Sequence, residues 1–364
     1  MKRAASRSNR GITLIELVVA MAVMLVAVAA ATTLMVAAVR MARDRTGNVE
    51  AAERSRLASA EMLENLERAG LGASTSITVN IGTPTQINPI YVVDNSAGLN
   101  PGGNGPNPVV GTDEIWMVSP ARLALGEACW DTGAKTPIVN MGTPIQVACG
   151  AGFSSYQGLG RFLMMISSQG TGKAALLSNP TVTGNNVTSA DIGAAAGVIN
   201  SGDSMVGVQV LHYYIGLNPN DKDPDGTMHP ALFRAYGSLS GGTAAAPFSN
   251  SATPGVVPEI PDVEDLQIVT LIDPTGAKNP NLYDPDAGLP PTPLVASPKQ
   301  VKAMRVTLVA RAHNRSLTGD GNQVNQLFAP LTVENHSPVA TPDGYQRVTF
   351  GRRVELPNMA MTAF

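Results

Sequence analysis

Hydrophobic side chains fill one uninterrupted stretch near the start of the chain. Between residues 12 and 39 the only ionisable side chain is Glu16. A helix over this stretch rises ~1.5 Å per residue and extends roughly 42 Å, which exceeds the ~30 Å hydrocarbon core of a membrane. Residues 1–10 contain cations and no acid, namely Lys2, Arg3, Arg7 and Arg10. The pattern predicts a membrane-spanning segment at 12–39 with a cytoplasmic N-terminal side, because cations accumulate on that side.

The helical pattern continues beyond the apolar stretch and becomes amphipathic over residues 40–70. Glu50 stands four residues before Arg54, which is the favourable acid-first order on a helix. One stripe combines small and apolar side chains: Ala52, Ser55, Ser59, Met62, Leu63 and Leu66. Gly47 is a weak point within the helix, and Gly70 supplies a stop. We therefore predict one continuous helix whose second half packs on a sheet.

Residues 73–364 have the pattern of an exported, β-rich globular domain with long loops. The chain has 36 Gly, 27 Pro and only 4% aromatic residues, which favours short strands. Predicted strands cover residues 77–81, 90–93, 114–118, 146–149, 162–167, 205–215, 231–236, 263–272, 301–310 and 346–356. The composition predicts an exposed insertion at residues 178–203 and a long loop at 273–298. A slip in the alternation at Met304-Arg305 predicts a bulge. The predicted fold class is α+β, with the long N-terminal helix packed on a mainly antiparallel β-sheet domain.

The junction between the basic leader and the apolar stretch reads Gly11-Ile12-Thr13-Leu14-Ile15-Glu16. The apolar stretch is too long for the hydrophobic region of a secretory signal. These residues instead resemble the class III leader of type IV pilins and type II secretion pseudopilins. The resemblance implies that prepilin peptidase removes residues 1–11 by cleaving between Gly11 and Ile12, and that Ile12 becomes a methylated N-terminus. It also implies that Glu16 pairs with the terminal amine of a neighbouring subunit.

Four short stretches in the C-terminal third resemble PilW-like minor pilins and occur in the same order. They are Leu232-Phe233-Arg234, Val263-Glu264-Asp265-Leu266-Gln267, Val301-Lys302-Ala303-Met304-Arg305-Val306 and Tyr345-Gln346-Arg347-Val348-Thr349-Phe350. This resemblance implies a minor pilin that takes part in assembly or priming of a type IV pilus. Helix packing in the membrane would use the small faces of Ala20, Ala27 and Ala31. A type II secretion pseudopilin shares the leader chemistry and stays an alternative, as does a pilus-tip adhesin.

The same resemblances imply a set of partners and a location. The partners are prepilin peptidase, other minor and major pilins, and the inner membrane. The chain would cross the inner membrane once, with its globular domain in the periplasm, before it enters a pilus at the cell surface. A formal net charge of −3 gives no reason to expect a nucleic-acid partner.

No sequence pattern indicates catalysis or a cofactor. The chain lacks a Gly-x-Ser-x-Gly elbow, and its four histidines occur in no recognised catalytic setting, which disfavours a membrane-tethered enzyme. Asp221, Asp223 and Asp225 stand at alternate positions before a glycine, as in calcium loops. However, Leu232 occupies the place of the bidentate glutamate in such a loop. We interpret this run as a solvated acidic turn, with a calcium site as the weaker alternative.

The two cysteines, Cys129 and Cys149, both lie in the part that would be exported. Disulfides persist in an oxidising compartment, and two cysteines alone do not complete a zinc site. We predict that they form a disulfide, which on the chain-entropy argument adds ~3 kcal/mol to the free energy of unfolding. Mass spectrometry of protein from its native compartment, without reductant, should find the two residues linked. Two thiols that react with an alkylating agent would contradict the bond.

Overall fold

The computed structural model places a long helix before a β-rich domain. The residues it describes are 13–70, 76–80, 84–98, 100, 103–120, 135–150, 161–167, 173–177, 180–190, 192, 199–239, 248–252, 255–272, 301–313, 329–333, 336 and 342–356. The predicted loop at 273–298 lies outside them.

One helix, α1, comprises Leu14–Arg68 and is 55 residues long. It is continuous across the boundary between the apolar and the amphipathic half, as the sequence pattern predicts. Its C-terminal end is fixed by main-chain hydrogen bonds. The Ala69 N–H donates to the Leu66 carbonyl at 3.1 Å, and the Gly70 N–H donates to the Val118 carbonyl at 3.0 Å. Gly70 has a φ of 72°, so the residue that stops the helix also turns the chain onto the domain.

Gly47, a weak point by helix propensity, has a packing role in the structure. A Cβ atom built at this position would stand 3.2 Å from the Cβ of Ala312, closer than most such contacts. Glycine therefore lets α1 approach the end of a strand of the domain.

Seventeen strands follow α1 in the described part of the chain. They are β1 (Ser76–Asn80), β2 (Pro84–Ile87), β3 (Ile90–Val93), β4 (Glu114–Pro120), β5 (Lys135–Asn140), β6 (Ile145–Val147), β7 (Arg161–Ile166), β8 (Lys173–Leu177), β9 (Thr181–Thr183), β10 (Asn186–Thr188), β11 (Ser204–Lys222), β12 (Met228–Ser238), β13 (Ser249–Asn250), β14 (Val257–Pro261), β15 (Val263–Ile272), β16 (Val301–Arg311) and β17 (Arg347–Glu355).

The strands form one large and one small sheet. The large sheet has 14 strands and is organised around β11, which pairs antiparallel with β4, β5, β7 and β12. Its one parallel pairing among the described strands joins β1 and β8. The small sheet has the order β15-β16-β17 and is antiparallel. The predicted α+β class, a long N-terminal helix on a mainly antiparallel β domain, is therefore confirmed.

The largest hydrophobic core lies where the second half of α1 meets both sheets. The helix contacts β4 and β14 of the large sheet and β16 and β17 of the small one. The buried helix side chains in this core are Ala58, Met62, Leu63 and Leu66. They pack against residues such as Met117 and Tyr213 of the large sheet and Leu308 of the small sheet. Most of the predicted stripe is therefore buried, and Ala52 is only partly so.

The described part of residues 178–203 is mostly exposed, as expected, but it also forms part of the large sheet. Strands β9 and β10 form a hairpin that extends the large sheet through pairing of β10 with β6. Val187, Ile192 and Ile199 are buried in a core cluster. The polar residues that dominate the sequence lie on the exposed face of the hairpin, while single apolar residues alternate into the core.

The bulge predicted at Met304-Arg305 is misplaced by two residues: the register of β16 against β15 shifts at Lys302, where Leu271 pairs with Ala303 and Ile272 with Val301. Met304 pairs with Thr270 and Arg305 with Val269 in regular register, and β17 pairs regularly along the other edge. The strand is central and buried on both faces: Met304 faces the core around α1, whereas Ala303 belongs to a separate cluster. Buried strands carry apolar residues on both faces, so the slip in the alternation at Met304-Arg305 does not require a bulge at that position.

Truncation of Leu66 should strongly destabilise the domain, because its side chain is fully buried between the two sheets. We expect Leu66→Ala to lower the free energy of unfolding by about 2–5 kcal/mol. Leu57→Ala is the matched control on the same helix, since Leu57 is 56% exposed and should change stability by at most ~0.5 kcal/mol. Chemical denaturation of the full chain in detergent measures both. Equal effects of the two substitutions would contradict the packing described here.

Candidate assembly site

Thr13 and Glu16 close the N-terminal end of α1 with reciprocal hydrogen bonds. The N–H and the hydroxyl of Thr13 each donate to Glu16 Oε2 at 2.9 Å, and the Glu16 N–H donates to Thr13 Oγ1 at 3.4 Å. This capping box satisfies main-chain groups that the first turn of a helix leaves without partners. Glu16 therefore has polar partners on its own helix. Gly11 and Ile12, the predicted cleavage residues, lie outside the described residues, and their roles stay predictions.

The first half of α1 contributes nothing to the core of the domain. Leu14–Val39 is long and apolar enough to cross a membrane, and none of its most apolar part is buried against the domain. Ala20, Ala27 and Ala31 are exposed and, by their spacing, lie on one face of the helix. This half can contact lipid or other helices along its length.

Arg54 anchors α1 to the β domain through ion pairs. Its guanidinium contacts Glu50 one turn earlier and Asp262 between β14 and β15. The Asp262 side chain is 0% exposed, and its backbone has a φ of 60°, which is unusual for a residue other than glycine. A buried carboxylate requires compensating partners, and Arg54 supplies one of them.

A second set of polar contacts lies about two turns further along the same face of α1. Arg234 of β12 contacts Glu61 of α1 and lies 3.2 Å from Glu259 of β14. Asn65 Nδ2 donates to the Tyr213 hydroxyl at 3.1 Å. Burial and the adjacent Glu61 raise the pKa of Glu259 to about 7, although Arg234 opposes the rise.

Asp113 joins the two sheets that enclose α1. Its Oδ1 accepts from the Asn95 N–H at 3.0 Å and its Oδ2 from the Ile268 N–H at 2.7 Å. Its own N–H donates to the Leu266 carbonyl of β15 at 2.8 Å. Burial raises the pKa of Asp113 to about 8, because desolvation outweighs the two backbone donors.

The acidic residues considered for calcium binding, Asp221, Asp223 and Asp225, lie at the tip of the β11–β12 hairpin. The Asp223 N–H donates to the Thr227 carbonyl, and the Thr227 N–H donates to Asp225 Oδ1, both at 2.9 Å. Asp223 Oδ1 lies 3.3 Å from His229 Nε2. Among the described residues the carboxylates of Asp221, Asp223 and Asp225 do not gather into one group of ligand atoms. The run is a hydrogen-bonded acidic turn, and calcium binding stays an untested alternative.

The predicted disulfide falls partly outside the described residues. Cys149 is buried, and its N–H donates to Thr136 Oγ1 at 3.1 Å. No cysteine in the described part of the chain is free. Because Cys129 is not among the described residues, the bond between the two cysteines stays a prediction.

Each of the four histidines contacts a carboxylate, which the sequence does not predict. The contacts are His212 Nε2 to Glu114 at 2.9 Å, His229 Nδ1 to Asp262 at 2.6 Å, His313 Nδ1 to Asp262 at 2.9 Å and His336 Nδ1 to Asp265 at 2.7 Å. The partners are 33 to 98 residues apart, so no local pattern signals these pairs. These pairs form only because the folded sheets bring distant strands together.

Comparisons with known proteins bear on the N-terminal segment. Residues 6–32 match the family model described as the prokaryotic N-terminal methylation motif. The chain carries an N-terminal methylation motif. The resemblance of the leader to prepilins, which rests on Gly11, Ile12 and Glu16, is confirmed by this match, whereas the methylation motif says nothing of PilW-type specificity.

A comparison with solved structures also gives a match. A type IV-like pilin from Thermus thermophilus is 11% identical and matches 85% of this chain and 98% of its own, with a TM-score of 0.31. A score of this size carries no argument about fold or function. A comparison with curated protein sequences gives no match.

The buried carboxyls predict how stability depends on pH. The folded-state pKa values of Asp113 and Glu259, about 8 and about 7, exceed their ordinary values of 3.8 and 4.5. The folded protein therefore binds more protons than the unfolded chain between these limits, and its stability should fall as the pH rises from about 4 to about 7–8. Denaturation of the full chain in detergent at pH 5, 7 and 9 measures this slope.

A matched pair of variants tests the assignment to Asp113. Asp113→Asn cannot ionise, so it should show a smaller fall in stability between pH 5 and 9, whatever its absolute stability. Glu355→Gln should keep the wild-type slope, because the Glu355 side chain is 80% exposed. A wild-type stability that rises over this range would overturn the proposed origin of the slope.

Proposed function

We propose that this chain is a minor pilin of a type IV pilus, cleaved by prepilin peptidase between Gly11 and Ile12 and methylated at Ile12. The observation that carries the proposal is the match of residues 6–32 to the methylation motif. Glu16 lies within this range and within the apolar part of α1. An acid in such a segment is expensive and is functional by default. We propose no catalytic role and no cofactor.

The proposed topology follows from charge and length. The cations of residues 1–10 would hold the N-terminal side in the cytoplasm, and Leu14–Val39 would cross the inner membrane. The β domain would then lie in the periplasm until the subunit enters a filament. Because α1 is continuous, the position of the apolar half would fix the position of the domain on the filament surface.

Glu16 would act by exchanging partners during assembly. Cleavage after Gly11 leaves the Ile12 amine as a cation, and Thr13 keeps the N–H and hydroxyl that now bind Glu16. Before assembly the capping box would lower the cost of the buried carboxylate. Within a filament, the carboxylate of one subunit would pair with the amine of the next and relieve the desolvation cost of both charges.

A type II secretion pseudopilin is the second candidate, because the methylation motif supports it equally. The feature that favours a minor pilin is the order of the PilW-like stretches, which lie in or beside β12, β15, β16 and β17. Those stretches include Arg234, which contacts Glu61 of α1. Recovery of the chain in sheared pili would favour a minor pilin, and recovery in a secretion complex would favour a type II secretion pseudopilin.

The carboxylate of Glu16 should be required for assembly and not for membrane insertion. We expect Glu16→Ala to insert and to be cleaved, but to be lost from sheared pili and from complexes with other pilins. Removing one partner of a buried ion pair leaves the other charge uncompensated, at a cost of about 3–5 kcal/mol. Glu53→Ala is the matched control on the same helix, because Glu53 is exposed beyond the apolar segment. Immunoblots of membrane and sheared fractions measure both variants.

A substitution at the cleavage site separates processing from assembly. Gly11→Val should leave the precursor uncleaved and therefore heavier on a gel, with Ile12 unmethylated. Normal recovery of Glu16→Ala in sheared pili would refute the assembly mechanism. Normal cleavage of Gly11→Val would refute processing by prepilin peptidase.

A further inference from the structure

Two histidines and an aspartate meet where the β11–β12 hairpin lies beside the end of β16. Asp221 lies near the end of β11, His229 near the start of β12, and His313 two residues after β16. One ligand atom from each residue lies within 4.8 Å of the others. His229 is buried, whereas Asp221 and His313 are partly exposed, so the group is open to solvent on one side.

Asp262 orients both histidine rings from the buried side of this group. Its Oδ1 contacts His229 Nδ1 at 2.6 Å, and its Oδ2 contacts His313 Nδ1 at 2.9 Å. A carboxylate accepts hydrogen bonds and therefore favours the tautomer in which each Nδ1 carries the proton. In that tautomer the Nε2 atoms keep their lone pairs. Carboxylates hold metal-binding histidines in this way in protein metal sites.

We propose that Asp221, His229 and His313 bind one divalent transition-metal ion of the zinc class, with Asp262 as the residue that positions both imidazoles. Two imidazole nitrogens and one carboxylate oxygen are ligands that suit zinc. Calcium takes oxygen ligands, so the site differs from the calcium loop considered for Asp221, Asp223 and Asp225. Asp223 Oδ1 lies 3.3 Å from His229 Nε2 but does not belong to this group of three, so the proposed site has three protein ligands.

Metal binding would require the three ligand atoms to move only slightly closer together. Zinc bonds of ~2.0–2.2 Å in a tetrahedral site place ligand atoms roughly 3.4 Å apart, and the three ligand atoms of this group all lie within 4.8 Å of one another. Asp221 and His313 can make up this difference because both are partly exposed. His229, which is 2% exposed and held by Asp262, would stay in place.

The charges around the group suit a bound cation. Arg54 contacts both Asp262 and Glu50, and Arg311 Nε lies 3.9 Å from Asp262, so two carboxylates balance the two positive charges next to the histidines. Asp221 and Asp223 are then the acids that would balance the two charges of the metal. Because Arg54 belongs to α1, a bound metal would also stiffen the attachment of the helix to the domain.

Metal binding by the untagged full chain in detergent tests the proposal. After removal of metal with a chelator, equilibrium dialysis should find one Zn²⁺ per chain, and Zn²⁺ should raise the Tm by ~2 °C or more whereas Ca²⁺ should not. His313→Ala and Asp221→Asn should each weaken Zn²⁺ binding ~10-fold or more. His336→Ala is the matched control, because His336 makes the same Nδ1 contact with a carboxylate, Asp265, at 2.7 Å.

The visible spectrum of the wild-type chain with Co²⁺ gives a readout that needs no variant. Intense bands of a four- or five-coordinate ion support the site, and the weak bands of an octahedral aqua ion would overturn it. Failure of the wild type to bind Zn²⁺, or unchanged binding by both His313→Ala and Asp221→Asn, would also overturn it. Equal loss in His336→Ala would show that the effect is not specific to this group.

Discussion

A single helix that must satisfy two different surroundings constrains the rest of this structure. The first half of α1 buries nothing against the domain, whereas Met62 and Leu66 in the second half are fully buried. Those side chains cover apolar faces of the large and the small sheet at once. Neither sheet could leave that face in water without losing ~25 cal/mol per Å² of apolar area. The helix is therefore the shared core element of both sheets as well as the anchor.

Polar contacts at the same boundary fix how the helix sits on the domain. Arg54 reaches Asp262, Arg234 reaches Glu61, and Asn65 reaches Tyr213. Buried ion pairs add little net stability because desolvation offsets their attraction, but an unpaired member is costly. A helix that slid by one turn, ~5.4 Å, would break all three contacts at once. In a membrane-anchored subunit this register sets the height of the domain above the membrane.

The sequence predicted the parts of the structure that depend on local periodicity. The helix and the strands Ile90–Val93 and Val263–Ile272 follow from apolar spacing, and the structure gives these strands the predicted bounds. Strand β11 extends to Lys222, seven residues beyond its predicted end, because its last residues are polar and exposed but still pair across the hairpin. Glu16 can be predicted as a functional residue from the sequence, because it is a lone acid in an apolar segment. The contacts of the histidines with Glu114, Asp262 and Asp265 could not be predicted, since these partners are distant in sequence and meet only after the sheets form.

Asp262 makes contacts that the sequence does not predict, because its partners come from distant parts of the chain. It lies in the tight turn between β14 and β15, and its N–H donates to the Pro230 carbonyl at 2.8 Å, which holds the turn against β12. Its two oxygens face Arg54, His229 and His313, and a carboxylate offers about four acceptor positions. With Arg311 also near, these positions are largely occupied. The carboxylate is therefore poorly placed to be a ligand itself, and its chemistry is to set the orientation of the two imidazole rings.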